Sequence, residues 1–195
     1  MKKIIAFTLV FIMILCACSC GQSNETTAAP ITGDSDYADA ISMLTAIWSA
    51  YEESEKFPAS GGDESNLNFE GPGKYSVESA EMLDSMLGLP TELASKIDSA
   101  ASLSHAMNAN TFTCGAFHFK EAGDAEAAIA KIKNNILSRH WICGFPDSLL
   151  IMKAPGNYVI AVWGINENTN IVSKFKIKVL NTVNGATVAV EEPIV

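Results

Sequence analysis

Five cysteines and three histidines are the residues of this chain best suited to nucleophilic, redox or metal chemistry, and the cysteines fall into two groups. Cys16, Cys18 and Cys20 alternate with Ala17 and Ser19 at the end of an apolar run. Three thiols so close invite a metal or thiol cluster, but their position against that run argues for a processing site. Cys114 and Cys143 stand alone in the remainder. Neither belongs to a Cys-x-x-Cys motif, the arrangement that lowers a thiol pKa at a helix start for disulfide exchange.

His105, His118 and His140 are scattered, and no two are four residues apart, so the zinc-protease pattern is absent. His118, between Phe117 and Phe119, reads as a sheet residue. There is no Gly-x-Ser-x-Gly elbow and no dinucleotide fingerprint, and Gly71-Pro72-Gly73-Lys74 is too short for a phosphate loop. No catalytic residue, cofactor or metal is expected. Asp63, Glu64, Asn66, Asn68 and Glu70 crowd oxygen atoms onto one stretch, yet without the glycine and terminal glutamate of an EF-hand, so solvated loop polarity is expected there rather than calcium. Trp141, Phe145 and Pro146, beside Cys143-Gly144, form the most distinctive aromatic patch. They are a candidate anchor for a partner, with core packing as the alternative.

The elements that must position these residues begin after the leader. Asp34-Ser35-Asp36 offers capping side chains ahead of Ile41, Leu44, Ile47, Trp48 and Tyr51, one face of a helix that Pro58 ends. Ala59 to Gly73 reads as a long surface loop. Ser76 caps a second helix with the stripe Met82, Leu83, Met86 and Leu87, expected as core. Gly88 stops it, and Pro90 starts a third helix through Leu93 and Ile97.

From Thr111 to Lys120 the residues favour a strand, and from Gly123 to Arg139 a helix. Leu149 to Lys153 and Tyr158 to Trp163 form a hairpin about the turn Ala154-Pro155-Gly156-Asn157. Asn168 to Leu180 fits both a strand and a helix and is assigned as helix; Ala186 to Val190 is a last strand. The order strand, helix, strand, strand, helix, strand predicts an α+β domain over residues 37–195 with a ferredoxin-like split sheet. Both helices would cover one face, with the N-terminal helices packed around it.

In that arrangement the end of the helix returns toward the start of the preceding strand, which brings Cys143 within a loop's reach of Cys114. A disulfide between them and two free thiols both remain open. A bond would add roughly 3.5 kcal/mol in the chain-entropy model.

Lys2 and Lys3 precede an apolar run from Ile4 to Leu15, too short for the ~20 residues of a membrane-spanning helix and typical of a signal peptide. Leu15-Cys16-Ala17-Cys18 resembles the lipobox of bacterial lipoproteins, with a branched apolar residue three before the cysteine and a small one directly before it. Cys18 fits best and Cys20 next. The resemblance implies a signal peptide over residues 1–17 and lipidation of Cys18, whose two or more acyl chains hold a protein stably to a bilayer. Gly21 to Asp36 then reads as a polar tether reaching on the order of 20 Å.

Without Lys2 and Lys3 the mature chain keeps 11 of the 13 basic residues against 22 acidic ones, a net charge of −11. Such a surface repels nucleic acid, so none is expected as a partner.

The lipobox, together with Asn108-Ala109-Asn110-Thr111-Phe112-Thr113-Cys114-Gly115-Ala116-Phe117-His118 and Trp141-Ile142-Cys143-Gly144-Phe145-Pro146-Asp147, resembles a group of uncharacterised gut-bacterial lipoproteins sometimes labelled bacteriocin transport accessory protein. That label also belongs to thioredoxin-like proteins with Cys-x-x-Cys, a motif this chain lacks. The resulting expectation is a membrane-tethered, non-enzymatic binding or accessory module on the extracytoplasmic face of the cell membrane, with an envelope protein as its candidate partner. The alternative is a thiol-redox protein using Cys114 and Cys143.

Overall fold

The computed structural model describes residues 35–195, so the expected signal peptide, Cys16, Cys18, Cys20 and the expected tether as far as residue 34 lie outside the described part. Helix α1 (Ala40–Ser49) starts at Asp39 rather than at Asp34-Ser35-Asp36: the Asp39 carboxylate accepts from the Ser42 amide at 2.8 Å, and the Ser42 hydroxyl accepts from the Asp39 amide at 3.2 Å. This reciprocal cap fixes the entry of the chain. Met43, Leu44, Ile47 and Trp48 are buried below it.

The long loop after α1 is pinned at both ends by short strands, β1 (Ala59–Ser60) and β2 (Gly73–Tyr75). Helix α2 (Ala80–Leu87) is capped by Ser79 rather than Ser76, and it ends as expected at Gly88, whose φ of +75° suits glycine. A 3-10 turn over Thr91–Lys96 replaces the expected third helix.

The chain then enters β3 (Ile97–His105), followed by β4 (Phe112–Phe119), α3 (Ala122–Leu137), the hairpin β5 (Ser148–Ala154) and β6 (Tyr158–Gly164), α4 (Ile171–Thr182) and β7 (Thr187–Pro193). Seven strands form one antiparallel sheet in the order β1-β3-β4-β6-β5-β7, with β2 also on β3.

The expected succession strand, helix, strand, strand, helix, strand is present from β4 to β7. The ferredoxin-like arrangement expected of it is not what forms. The edge of β4 that a fourth strand would take is occupied by β3, and β7 pairs with β5 instead. The crossovers β4-α3-β5 and β6-α4-β7 therefore step in the same direction from strands that run oppositely. Two such crossovers of one hand place their helices on opposite faces.

That is the observed architecture. One core lies between the sheet and α1 with α4, built around Leu44, Phe112, Ile160 and Phe175. The other lies between the sheet and α2 with α3, built around Leu83, Phe117, Ile132 and Val159. The sheet, covered on both faces, reads as runs of buried residues rather than as alternation: every residue of β6 is buried. No helix among the described residues is long and apolar enough to cross a membrane.

Candidate functional site

The parity of β3 and β4 decides what each face of the sheet presents, because successive side chains point to opposite sides. Leu103 and Cys114 belong to the core under α1 and α4. Ser102, Ser104 and Thr113 consequently face the side of α2 and α3, with Ser104 and Thr113 directly opposite each other across the strand pair. Gly115 comes next along β4. A Cβ there would stand 2.8 Å from Phe117 and 3.1 Å from the Leu87 Cβ, so its bare backbone lets the end of α2 sit down on the sheet. Beyond that contact neither α2 nor α3 covers the strand ends, and a groove of about 470 Å3 opens.

Its floor is the hydroxyl row Ser102, Ser104 and Thr113, and its walls are Met86 and Leu87 of α2, Leu67 of the long loop, and Trp141, Cys143 and Gly144 from the segment after α3. Ser102 is already used, accepting from the Gly62 amide at 2.8 Å and holding the long loop to β3. His105 is the one residue with a basic side chain in the described lining, and it shares the parity of Leu103, its ring stacked on Phe57 at 5.2 Å on the other face of the sheet. Partial burial holds its imidazole below the usual range, and its Nδ1 accepts from the Met107 amide at 3.0 Å, so the ring is neutral at pH 7. An uncharged groove thus opens on a chain of net charge −9.

The sequence-derived patch is divided by the fold. Pro146 is buried, Trp141 is half-buried with its ring 6.3 Å from that of Trp163, and Phe145 is exposed. Trp141 contributes to the groove wall. Its indole Nε1 is buried without a hydrogen-bond partner in the protein. Ile142, next to it, is 92 % exposed. The stripe on α2 is also divided: Leu83 and Leu87 are core, whereas Met82 and Met86 are exposed, which corrects the expectation that all four pack inward.

Cys114 and Cys143 are both free. Cys114 is buried among the residues under α1 and α4, and burial pushes its thiol up, well above the ordinary range. Cys143 is exposed at the groove on the other face. The returning helix does bring Cys143 back near the start of β4, but on the side of the sheet that Thr113, not Cys114, faces.

The oxygen-rich loop residues are committed locally. Asp63 Oδ1 accepts from the amides of Ser65 and Asn66 and from the Asn66 side chain, while Oδ2 accepts from the Ser76 amide at 2.6 Å. Partial burial raises the Asp63 pKa, and these donors together outweigh it and hold the carboxyl below its usual range. His118 pairs with Asp98 at 2.5 Å at the other end of the sheet, and His140 is exposed. Among the described residues no three His, Cys, Asp or Glu side chains converge as a metal site would require.

The groove residues of β3 were not singled out from the sequence, although Ser102-Leu103-Ser104 alternates as a half-polar strand does. No family model, curated protein or solved structure matches this chain.

Proposed function

We propose that the mature chain is a lipid-anchored extracytoplasmic binding module, attached through Cys18, that takes an uncharged segment of an envelope protein partner into the groove over β3 and β4. The observation that carries this reading is the groove's neutrality on an acidic chain. A ligand recognised by ion pairing would need opposing charge in that lining. Hydroxyls on Ser104 and Thr113 suit the amides of a peptide, and Met86 offers a flexible, polarizable wall that adapts to varied side chains. Leu67, Ile142 and Phe145 expose apolar surface on the loops that wall the groove, which is where an interface draws its energy.

The thiol-redox alternative needs two thiols that meet. One lies under α1 and α4 and the other across the sheet, which leaves Cys143 without a resolving partner in the described residues.

The experiment is an array of peptides from envelope proteins, probed with the mature protein at low and high salt. Uncharged apolar peptides are expected to be retained equally well in both, because no ion pair is there to be screened. Thr113→Trp, which fills the floor, is expected to abolish retention. Selection of charged peptides, or retention lost in high salt, would exclude this reading.

A further inference from the structure

The turn that joins α4 to β7 holds a reactive pair that neither the groove nor the core uses. The Ala186 amide closes this turn by donating to the Val183 carbonyl at 3.1 Å, and Asn184 and Gly185 are its central residues. Gly185 has a φ of +80°, and a Cβ on it would stand 2.9 Å from Pro155 Cγ, so conformation and the neighbouring hairpin turn both demand glycine there. The demand is structural, but it strips all side-chain cover from the Gly185 amide. Both residues are exposed, and among the described residues neither the Asn184 side chain nor the Gly185 amide has a hydrogen-bond partner.

An amide nitrogen that is unshielded and unbonded can attack the side-chain carbonyl carbon of the asparagine before it, because the ring that closes is small and unstrained. We propose that Asn184 is a site of spontaneous modification, converted through a succinimide to aspartate and isoaspartate. The Gly185 nitrogen gives up its proton to water and forms a bond to Asn184 Cγ; the Cγ–Nδ2 bond breaks, and the side-chain nitrogen leaves as ammonia with a proton returned to it. Water then adds to one of the two ring carbonyls and breaks its bond to the Gly185 nitrogen, which recovers a proton. Opening at Cγ leaves aspartate. Opening at the backbone carbonyl leaves isoaspartate, in which the main chain runs through the side chain and is longer by one carbon. Water replaces ammonia, nothing is oxidised or reduced, and the turn gains a carboxylate.

No other asparagine of the chain is followed by glycine. Asn134, Asn135 and Asn181 lie within α3 and α4, where the amide that follows each is committed to a helical hydrogen bond. Asn66, Asn68 and Asn166 spend their side-chain amides on Asp63, the Pro72 carbonyl and Ser173. At Asn184 the product carboxylate adds a negative charge to a cavity of about 210 Å3 that Asp36 already lines, at the end of the sheet where the described chain begins. The groove shares no residue with this turn, so the modification is independent of the peptide reading.

The test is incubation of the detergent-solubilised mature protein in heavy-oxygen water at mildly acidic and mildly alkaline pH, followed by peptide mapping with fragmentation that separates aspartate from isoaspartate. Both products are expected at position 184, each carrying heavy oxygen, ahead of any other asparagine and faster at alkaline pH, because the attacking nitrogen must lose its proton. The chain unfolded in urea is expected to convert no more than about tenfold faster than the folded one, since the turn is closed by a single backbone hydrogen bond. Asn184→Gln is expected to abolish conversion there and to leave the urea midpoint unchanged, because the side chain it replaces has no partner. Aspartate without isoaspartate would mean direct hydrolysis and would overturn the proposal. Another asparagine converting first, an Asn184 that persists in the folded protein while the unfolded chain converts, or Asn184→Gln reacting as fast as the natural residue would overturn it equally.

Discussion

Cys114 and Cys143 show how a single residue's surroundings outrank its type. One is fully buried in the core under α1 and α4, with its thiol pushed up by burial; the other is exposed at the groove. Thiol reactivity follows the thiolate fraction and access together, and on both counts Cys114 is inert while the protein is folded. Of these two thiols, alkylation of the native protein is therefore expected to modify Cys143 and to reach Cys114 only at the rate of global unfolding, as mapping of the labelled peptides would report. Native labelling of the Cys114 peptide, or none of the Cys143 peptide, would contradict the placement of these thiols. Reduction before labelling should leave both results unchanged, because neither cysteine is bonded among the described residues.

At the scale of the elements, α2 separates what its sequence stripe joined. Met82 and Leu83 are neighbours in the chain, yet Leu83 is fully buried and Met82 is 43 % exposed. Leu83→Ala should cost about 2–5 kcal/mol, because a cavity opens between α2 and the sheet. Met82→Ala should stay within about 0.5 kcal/mol. Urea unfolding measures both as midpoint shifts at constant slope.

The same element explains what could be read in advance. Long, strongly periodic segments such as α3 and the β5–β6 hairpin were legible, as was the ambiguous α4. Its Phe175 and Val179 are buried while Ile177 is 52 % exposed, which is helical and not strand spacing. Strand β3 was not legible. Its Ser99-Ala100-Ala101-Ser102 core carries none of the branched or aromatic residues that mark a strand, and its place in the sheet comes from tertiary packing, with Ala101 under α1 and α4 and Ala100 on the α2 side. Missing β3 meant missing the hydroxyl row of the groove. It also hid the occupied edge of β4 that sends β7 to the far side and α4 to the opposite face.

For the whole molecule, the decisive relation is between the point where the described chain begins and the pole where the groove lies. Ser35 lies against Gly156, in the turn of the β5–β6 hairpin, and the Tyr37 carbonyl accepts from the Tyr158 hydroxyl at 3.2 Å. Tyr158 pairs with His118 at one end of β4, whereas Gly164 pairs with Phe112 at the other, next to Thr113. Six residues of extended strand separate those ends, about 20 Å. If Cys18 carries the lipid, the domain leaves its anchor at the hairpin end and holds the groove at the end away from it. The tether would then set how far the groove stands from the bilayer and not whether it is accessible. Deleting residues 22–34 should accordingly leave both membrane retention and peptide binding intact on vesicles, while Cys18→Ala should release the protein to the soluble fraction with peptide binding unchanged. Vesicle flotation and peptide retention measured on the same samples distinguish the two effects. Peptide binding lost on shortening alone would mean that the groove faces the membrane, and Cys18→Ala still floating with vesicles would refute the anchor.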